Sequence, residues 1–208
     1  MRDGSSATAD VRAGVARPLL GTEIIDCGVI LACGAVLALV LRPFQDTPFI
    51  DDWVYAWSVQ RLLDGHGLAV LDWSSHPDFA HVLWGALFCL PSGFSFTALR
   101  VSTWVAALLG LCGFQLLLRA LGIDRRRAAL GTALLGLNPV FFILSATFMT
   151  DVPFVALSIW AALALIGAIA RHDERRLWAF AALGAAAGAV RVVAVVMPIA
   201  ALLTLATH

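Results

Sequence analysis

Apolar positions in this chain come in long blocks, not in the three-and-four or alternating spacing of a soluble core. The first block, residues 24–41 (IIDCGVILACGAVLALVL), runs 18 residues and stops at Arg42-Pro43. A run of that length can cross the roughly 30 Å hydrocarbon core of a bilayer as a helix. No A-x-A cleavage pattern follows it, so the sequence predicts an uncleaved anchor rather than a signal peptide. Further spans are predicted over about 99–118, 128–148 and 152–170, the middle one with Asn138-Pro139 inside it. The last block, 177–207, would run about 46 Å as one straight helix at about 1.5 Å per residue. That is too long for one crossing. Arg191 near its middle and Pro198 beyond divide it into helices over 177–190 and 192–206 that meet near Arg191. A charge at that depth is costly unless it is paired or faces a polar cavity. One block is too short to cross: 79–90 (FAHVLWGALFCL), which predicts a juxtamembrane or re-entrant helix.

The polar segments between the blocks set an orientation. Residues 1–20 carry Gly, Ser, Ala and three Arg with little periodicity, and read as a disordered tail. Arg119 with Asp124-Arg125-Arg126-Arg127, and the run RHDERR at 171–176, are short and basic. Short Arg-rich loops stay in the cytoplasm. The loop 43–78 holds six acids and Arg61 as its single base, and falls outside together with the Thr150-Asp151 turn. One alternating topology satisfies all of these segments, provided 79–90 does not cross. The expected fold class is therefore all-α, a polytopic transmembrane bundle of about five to six membrane helices. A juxtamembrane helix belongs to its first outer loop. The expected division is a cytoplasmic tail over 1–20 and a membrane domain over 21–208, in a cell inner or plasma membrane.

Composition agrees and narrows the function classes. Of 208 residues, 61% are hydrophobic and 13% charged, with mean hydropathy +0.88. A soluble domain is about 45–50% apolar and about 25% charged. This excludes disorder and a disulfide-stapled secreted module, and argues against a soluble enzyme. The formal net charge is zero, all 14 bases are Arg, and no basic tail or stripe suits nucleic acid as a partner. Cys27, Cys33, Cys89 and Cys112 lie in apolar stretches without a CxxC pair, as small buried hydrophobes do.

Candidate chemistry concentrates outside. Asp51-Asp52 stands about nine residues after the first span. Adjacent carboxylates raise each other's pKa, and such a pair suits a general base, a substrate anchor or a divalent-cation ligand. It also suits a plain cap of a helix starting at Trp53. Trp53, Tyr55, Trp57 and Trp73 share the loop, and aromatic faces serve both a membrane interface and sugar rings. His76-Pro77 opens the juxtamembrane segment, with Asp78 and His81 nearby. A His there can bind phosphate, shuttle a proton or simply sit at the interface. Asp151, in FMTDVPF, caps the next helix or joins the outer acids, and Arg191 approaches from within the membrane. Two acid clusters and a buried Arg suit a phosphate-bearing lipid and a leaving group.

The order of these segments resembles the N-terminal part of the GT-C superfamily of membrane glycosyltransferases. The closer likeness is to the protein O-mannosyltransferase and aminoarabinose-transferase type. The segments that carry it are FIDDWVYAWSVQRLLDGHGL, SSHPDFAHVLWGALFCL, ALRVSTWVAALLG, NPVFFILSATFMTDVPF and RLWAFAALGAAAGAVRVVAVVMP, over about residues 20–205. The resemblance implies transfer of a sugar from a polyprenyl-phosphate donor to a glycan, lipid or protein acceptor on the outer face. It implies that Asp51 acts as base or acceptor anchor with Asp52 beside it, and that Asp151 is a further functional acid. It gives Arg191 the lipid phosphate, with His76 as a further donor contact, while the aromatic faces of Trp53 and Tyr55 make them expected substrate contacts. The family's basic residue before Pro-Pro is here His76-Pro77-Asp78, so the second Pro is absent. Members of the superfamily run to more spans and a soluble domain, so the chain corresponds to a front half. A non-catalytic subunit of the same fold, or a transporter component, are the alternative expectations.

Overall fold

The computed structural model describes residues 21–71, 73–74 and 77–206. Every regular element among them is helical. In chain order they are α1 (Gly21–Leu41), α2 (Asp52–Leu63), α3 (Phe79–Cys89), α4 (Phe96–Ala120), α5 (Arg125–Gly136), α6 (Pro139–Ser145), α7 (Asp151–Arg171), α8 (Glu174–Gly188), a 3₁₀ turn (Val192–Val195) and α9 (Val196–Ala206). The expected all-α membrane bundle is what forms.

Three helices, α1, α4 and α7, are long and apolar enough to cross a membrane, and a fourth span results if α5 and α6 count as one. The sequence predicts five to six spans, with 128–148 continuous. The difference has two physical causes. Pro139 has no N–H to give a continuing helix. Asn138 accepts from the backbone N–H groups of Val140 and Phe141 and starts a new helix. Together they bend the span by 64°. The final block does split near Arg191 as expected, into helices of 15 and 11 residues. Phe180 of α8 and Ala201 of α9 share a buried cluster with Ala161 of α7. They flank the break at similar distances along the chain, so α9 doubles back beside α8. Each arm, at about 1.5 Å per residue, falls short of a bilayer's hydrocarbon core.

α4 is the spine of the bundle. On one side α7 approaches it through small residues: a Cβ on Gly110 would meet the Ala156 backbone at 3.2 Å, and one on Gly113 would meet the Trp160 ring at 2.9 Å. Close helix approach through small residues is how membrane helices gain packing when lipid is as apolar as their side chains. Trp160 Nε1 donates to the Leu109 carbonyl across this seam. On the other side Gly34 of α1 sits against Leu108. The outward face of α1, including Ile25, Val36, Leu39 and Val40, is exposed, as hydrocarbon requires. Against expectation Cys33 also lies exposed on α1, whereas Cys89 and Cys112 are buried.

The helices α2 and α3 form a cap over one end of the bundle. Their core joins Ala56, Val59, Val82, Ala86 and Cys89 to Leu99 of α4 and Phe148 of the α6–α7 turn. Trp84 Nε1 donates to the Ser102 carbonyl at 2.9 Å and ties α3 to α4. At Gly85 an added Cβ would collide with the Phe148 ring and come within 2.9 Å of Leu99. Gly85→Ala should therefore overpack this seam and destabilise the protein by about 1–3 kcal/mol. Denaturant unfolding in detergent, compared with the exposed control Gly28→Ala, measures it.

Candidate functional site

The site is built where three chain breaks meet: the loop before α2, the α6–α7 turn and the α8–α9 break. Its first part is a clamp. Arg100, one turn into α4 and 3% exposed, donates from Nη2 to Asp52 Oδ2 at 2.9 Å and from Nε to the same oxygen at 3.3 Å. The same guanidinium donates to the Gln45 and Thr47 carbonyls at 2.5 Å each. Asp52 is fully buried, and its other oxygen accepts from the Phe49 N–H at 2.7 Å. Between Phe49 and Asp52, Ile50 holds φ at +55°. A β-branched residue adopts that conformation only at a cost of order 1–3 kcal/mol, sustained by its surroundings. The clamp supplies them on both sides of the turn. Asp46 adds a second tie, accepting from Ser95 Oγ at 2.9 Å. That bond, with one from the Thr97 N–H, holds the Asp46 carboxyl below its ordinary range.

The two acids of the pair thus differ in environment. Neither caps α2 as a solvated N-cap would: Asp51 stands at the N-cap without a side-chain bond, and Asp52 is held from behind. Asp52 has both oxygens occupied, while Asp51 is exposed on the next position of the turn.

The second part is an ion pair. Asp151 opens α7 and Arg191 occupies the extended break after α8, and Nη1 donates to Oδ1 at 2.6 Å. Their side chains are about a third exposed, 27% for Arg191 and 32% for Asp151. Arg191 Nε is buried without a hydrogen-bond partner among the described residues. Asp151, by local sequence a cap for α7, is instead engaged across 40 positions of sequence. Ala80 N–H donates to the Ala189 carbonyl at 3.2 Å, which ties the start of α3 to this break.

Between clamp and ion pair lies a column of polar and aromatic groups. Tyr55 of α2 meets the His81 ring edge-on at 5.7 Å, and His81 stacks on Phe148 at 4.0 Å. His81 Nε2 lies 3.4 Å from the Phe148 carbonyl, and its Nδ1 is buried without a partner among the described residues. Burial pushes the His81 pKa down to about 4. Burial raises the Tyr55 phenol, partly offset by the nearby Thr150 hydroxyl, and the charges of Asp78, Arg191 and Asp151 all reach it. Asp78, fully buried, accepts from the Ser74 hydroxyl. Trp53 is exposed one position beyond the clamp, and Trp73 stands 82% exposed near the cap. His76 lies outside the described residues, as does the tail over 1–20.

So α2, α7 and the α8–α9 break bring Tyr55, Asp151 and Arg191 to one place, with Asp51 and Trp53 on the exposed rim of the same cap. No group of three or more candidate metal ligands occurs among the described residues. Sequence reasoning misses the clamp as a unit. Its signal is present, since Arg100 is a charge inside an apolar block, just as Arg191 is.

These features define a multi-pass helical membrane protein with a polar, ion-paired site capped by two short helices. A family model described as dolichyl-phosphate-mannose-protein mannosyltransferase matches residues 75–208, more than half of the chain, and the protein belongs to that family. It is a glycosyltransferase of the GT-C type, as the resemblance implies. Asp51, Asp52, Trp53 and Tyr55 precede the matched segment, whereas Asp151 and Arg191 fall within it. Neither the curated proteins nor the solved structures yielded a significant match.

Two outcomes follow from the geometry. Arg100→Gln or Asp52→Asn leaves a buried charge without its counter-ion and should cost about 3–5 kcal/mol, read by unfolding in detergent. Replacing both with uncharged residues should cost less than the two single changes together. The His81 effect runs with acid. Because folding lowers its pKa from 6.5 to about 4, the unfolded chain binds the proton first. Stability from this group is complete above about pH 6.5 and is lost as pH falls toward 4. Imidazole NMR shifts at His81 should stay those of the neutral ring from pH 7 to pH 5.

Proposed function

We propose that the protein transfers a sugar from a polyprenyl-phosphate donor to a hydroxyl acceptor at the outer face of the membrane, with Asp51 as general base. The observation that carries this reading is the Arg191–Asp151 pair. It is a guanidinium held at a helix break, partly exposed, with Nε unpartnered. A guanidinium in this setting is suited to a phosphate oxygen, because it stays charged and presents donors in a fixed fork. Asp151 orients it and remains its counter-ion when no substrate is present.

In the proposed reaction the acceptor oxygen attacks the anomeric carbon on the face opposite the phosphate. The new C–O bond forms as the bond from carbon to phosphate oxygen breaks. The leaving phosphate takes the bonding electron pair, and Arg191 offsets the charge that grows there. Asp51 accepts the proton of the acceptor hydroxyl. The result is inversion at the anomeric carbon. Asp52 is a positioning residue in this scheme, since its oxygens are already used, and its clamp fixes the turn that carries Asp51. Trp53 and Tyr55 offer ring faces to the sugar, and Asp151 sets the angle of Arg191. His76 belongs to the proposed donor contacts through the family's basic position. The basic loops would then face the cytoplasm.

Purified protein supplied with labelled polyprenyl-phosphate sugars tests this. Asp51→Asn should lower kcat by about 10²- to 10⁴-fold while membrane insertion stays normal, and Arg191→Gln should lower kcat with a rise in donor KM. Normal transfer by Asp51→Asn overturns the base assignment. Absence of turnover with every donor favours the non-catalytic subunit of the same fold.

A further inference from the structure

A groove of about 760 Å³ opens on the side of the bundle away from α7. Its walls are Val29 and Leu37 of α1, Leu111 of α4, Ala133 of α5, Leu137 just after it and Phe141 of α6. The cause is the 64° bend at Asn138, since α6 turns away from the line of α5 and leaves a wedge. The distance along α1 from Asp26 to Leu37 is about 16 Å at about 1.5 Å per residue, the scale of an acyl chain.

The charged residues that line the groove gather at one end, at the start of α5. Asp26 accepts there from Arg125 Nη2 at 2.6 Å and from Gln115 Nε2 at 3.1 Å. Gln115 Oε1 in turn accepts from Thr132 Oγ1 at 2.9 Å. These groups are mutually satisfied. Arg126 also lines this end. It is exposed and forms no ion pair among the described residues. The mouth of the apolar slot thus carries one guanidinium, Arg126, that stands outside any ion pair among the described residues. The neighbouring Arg127 is paired with Asp124 at 3.2 Å.

We propose that this groove binds one anionic glycerophospholipid from the leaflet on the Arg-rich side. An acyl chain lies between α1, α4 and α5, and the headgroup phosphate lies on Arg126. The match is in both length and charge: hydrocarbon fills the slot, and the unpaired guanidinium sits at the level of the helix ends, where headgroups are. The site is separate from the Asp151–Arg191 centre and does not depend on the transfer reaction. The bound lipid joins α1 to the bend and holds the anchor helix to the spine.

Native mass spectrometry of the delipidated full chain, titrated with phosphatidylglycerol or phosphatidylcholine, tests the proposal. The wild type should retain one phosphatidylglycerol in preference to phosphatidylcholine. Arg126→Gln, a surface change, should weaken phosphatidylglycerol binding about fivefold, the scale of about one headgroup charge contact. It should weaken phosphatidylcholine binding less, because the choline ammonium offsets the charge of that lipid's phosphate. Arg175→Gln, in the other basic loop, should have no effect. Ala133→Trp, with its helicity checked by circular dichroism, should fill the slot and reduce binding of both lipids. Equal phosphatidylglycerol binding by the wild type and Arg126→Gln overturns the headgroup contact. Equal binding by a folded Ala133→Trp overturns the groove.

Discussion

The buried pair of Arg100 and Asp52 is the constraint on which the cap depends. A guanidinium that is 3% exposed within an apolar helix is tolerated only because a carboxylate and two carbonyls meet it. The two carbonyls come from a loop with no regular structure of its own and the carboxylate from the first residue of α2, so satisfying Arg100 is what gives the loop a shape. The shape includes a turn that forces Ile50 to positive φ and presents Asp51 outward. Removing the charge does not simply loosen a contact. It takes away the reason for the loop's conformation, and with it the position at which α2 starts.

The same logic governs the breaks in the helices. A backbone freed from its helix within a bilayer must find partners or face a polar cavity. At Asn138 the amide side chain provides them and the helix restarts at a new angle. At Arg191 the chain runs extended, and the side chain pairs with Asp151 instead. The first break opens the apolar groove, and the second delivers a cation to the polar site. Two irregularities that look alike in sequence, each a polar residue within a hydrophobic block, thus do opposite work. One makes space for hydrocarbon and the other makes a charged centre.

Much of this is legible in the order of residues alone. Block length and Arg placement suffice for the all-helical membrane fold, the short helix at 79–90 and the split at Arg191, because those depend on local hydrophobicity and on the cost of a charge. The family likeness is legible in the order of segments. What the sequence hides is pairing. Asp51 and Asp52 are chemically identical neighbours, and only the position of Arg100, 48 residues away, separates a buried anchor from an exposed acid. Asp151 has a local explanation as a helix cap, and the long-range partner Arg191 overrides it. The expected span count is too high because a proline inside an apolar run and a doubled-back terminal hairpin both keep the composition of a crossing while losing its length.

Charge also explains why α4 serves as the spine. Near its start Arg100 binds Asp52 and the outer loop, and near its end Gln115 links Asp26 of α1 to Thr132 of α5. Between these anchors the contacts are small and apolar, through Gly110 and Gly113. Apolar seams between membrane helices are permissive: neighbours can slide by a turn with little loss, because lipid competes on equal terms. Directional bonds are not permissive. Polar ties near both ends of one long helix therefore fix register and tilt for the elements they hold, while small residues set how near those elements come. On this arrangement the described polar ties fall into two separate sets. The acid-rich set near one end positions the candidate site, and the Arg-rich set near the other holds the first helix to the bundle.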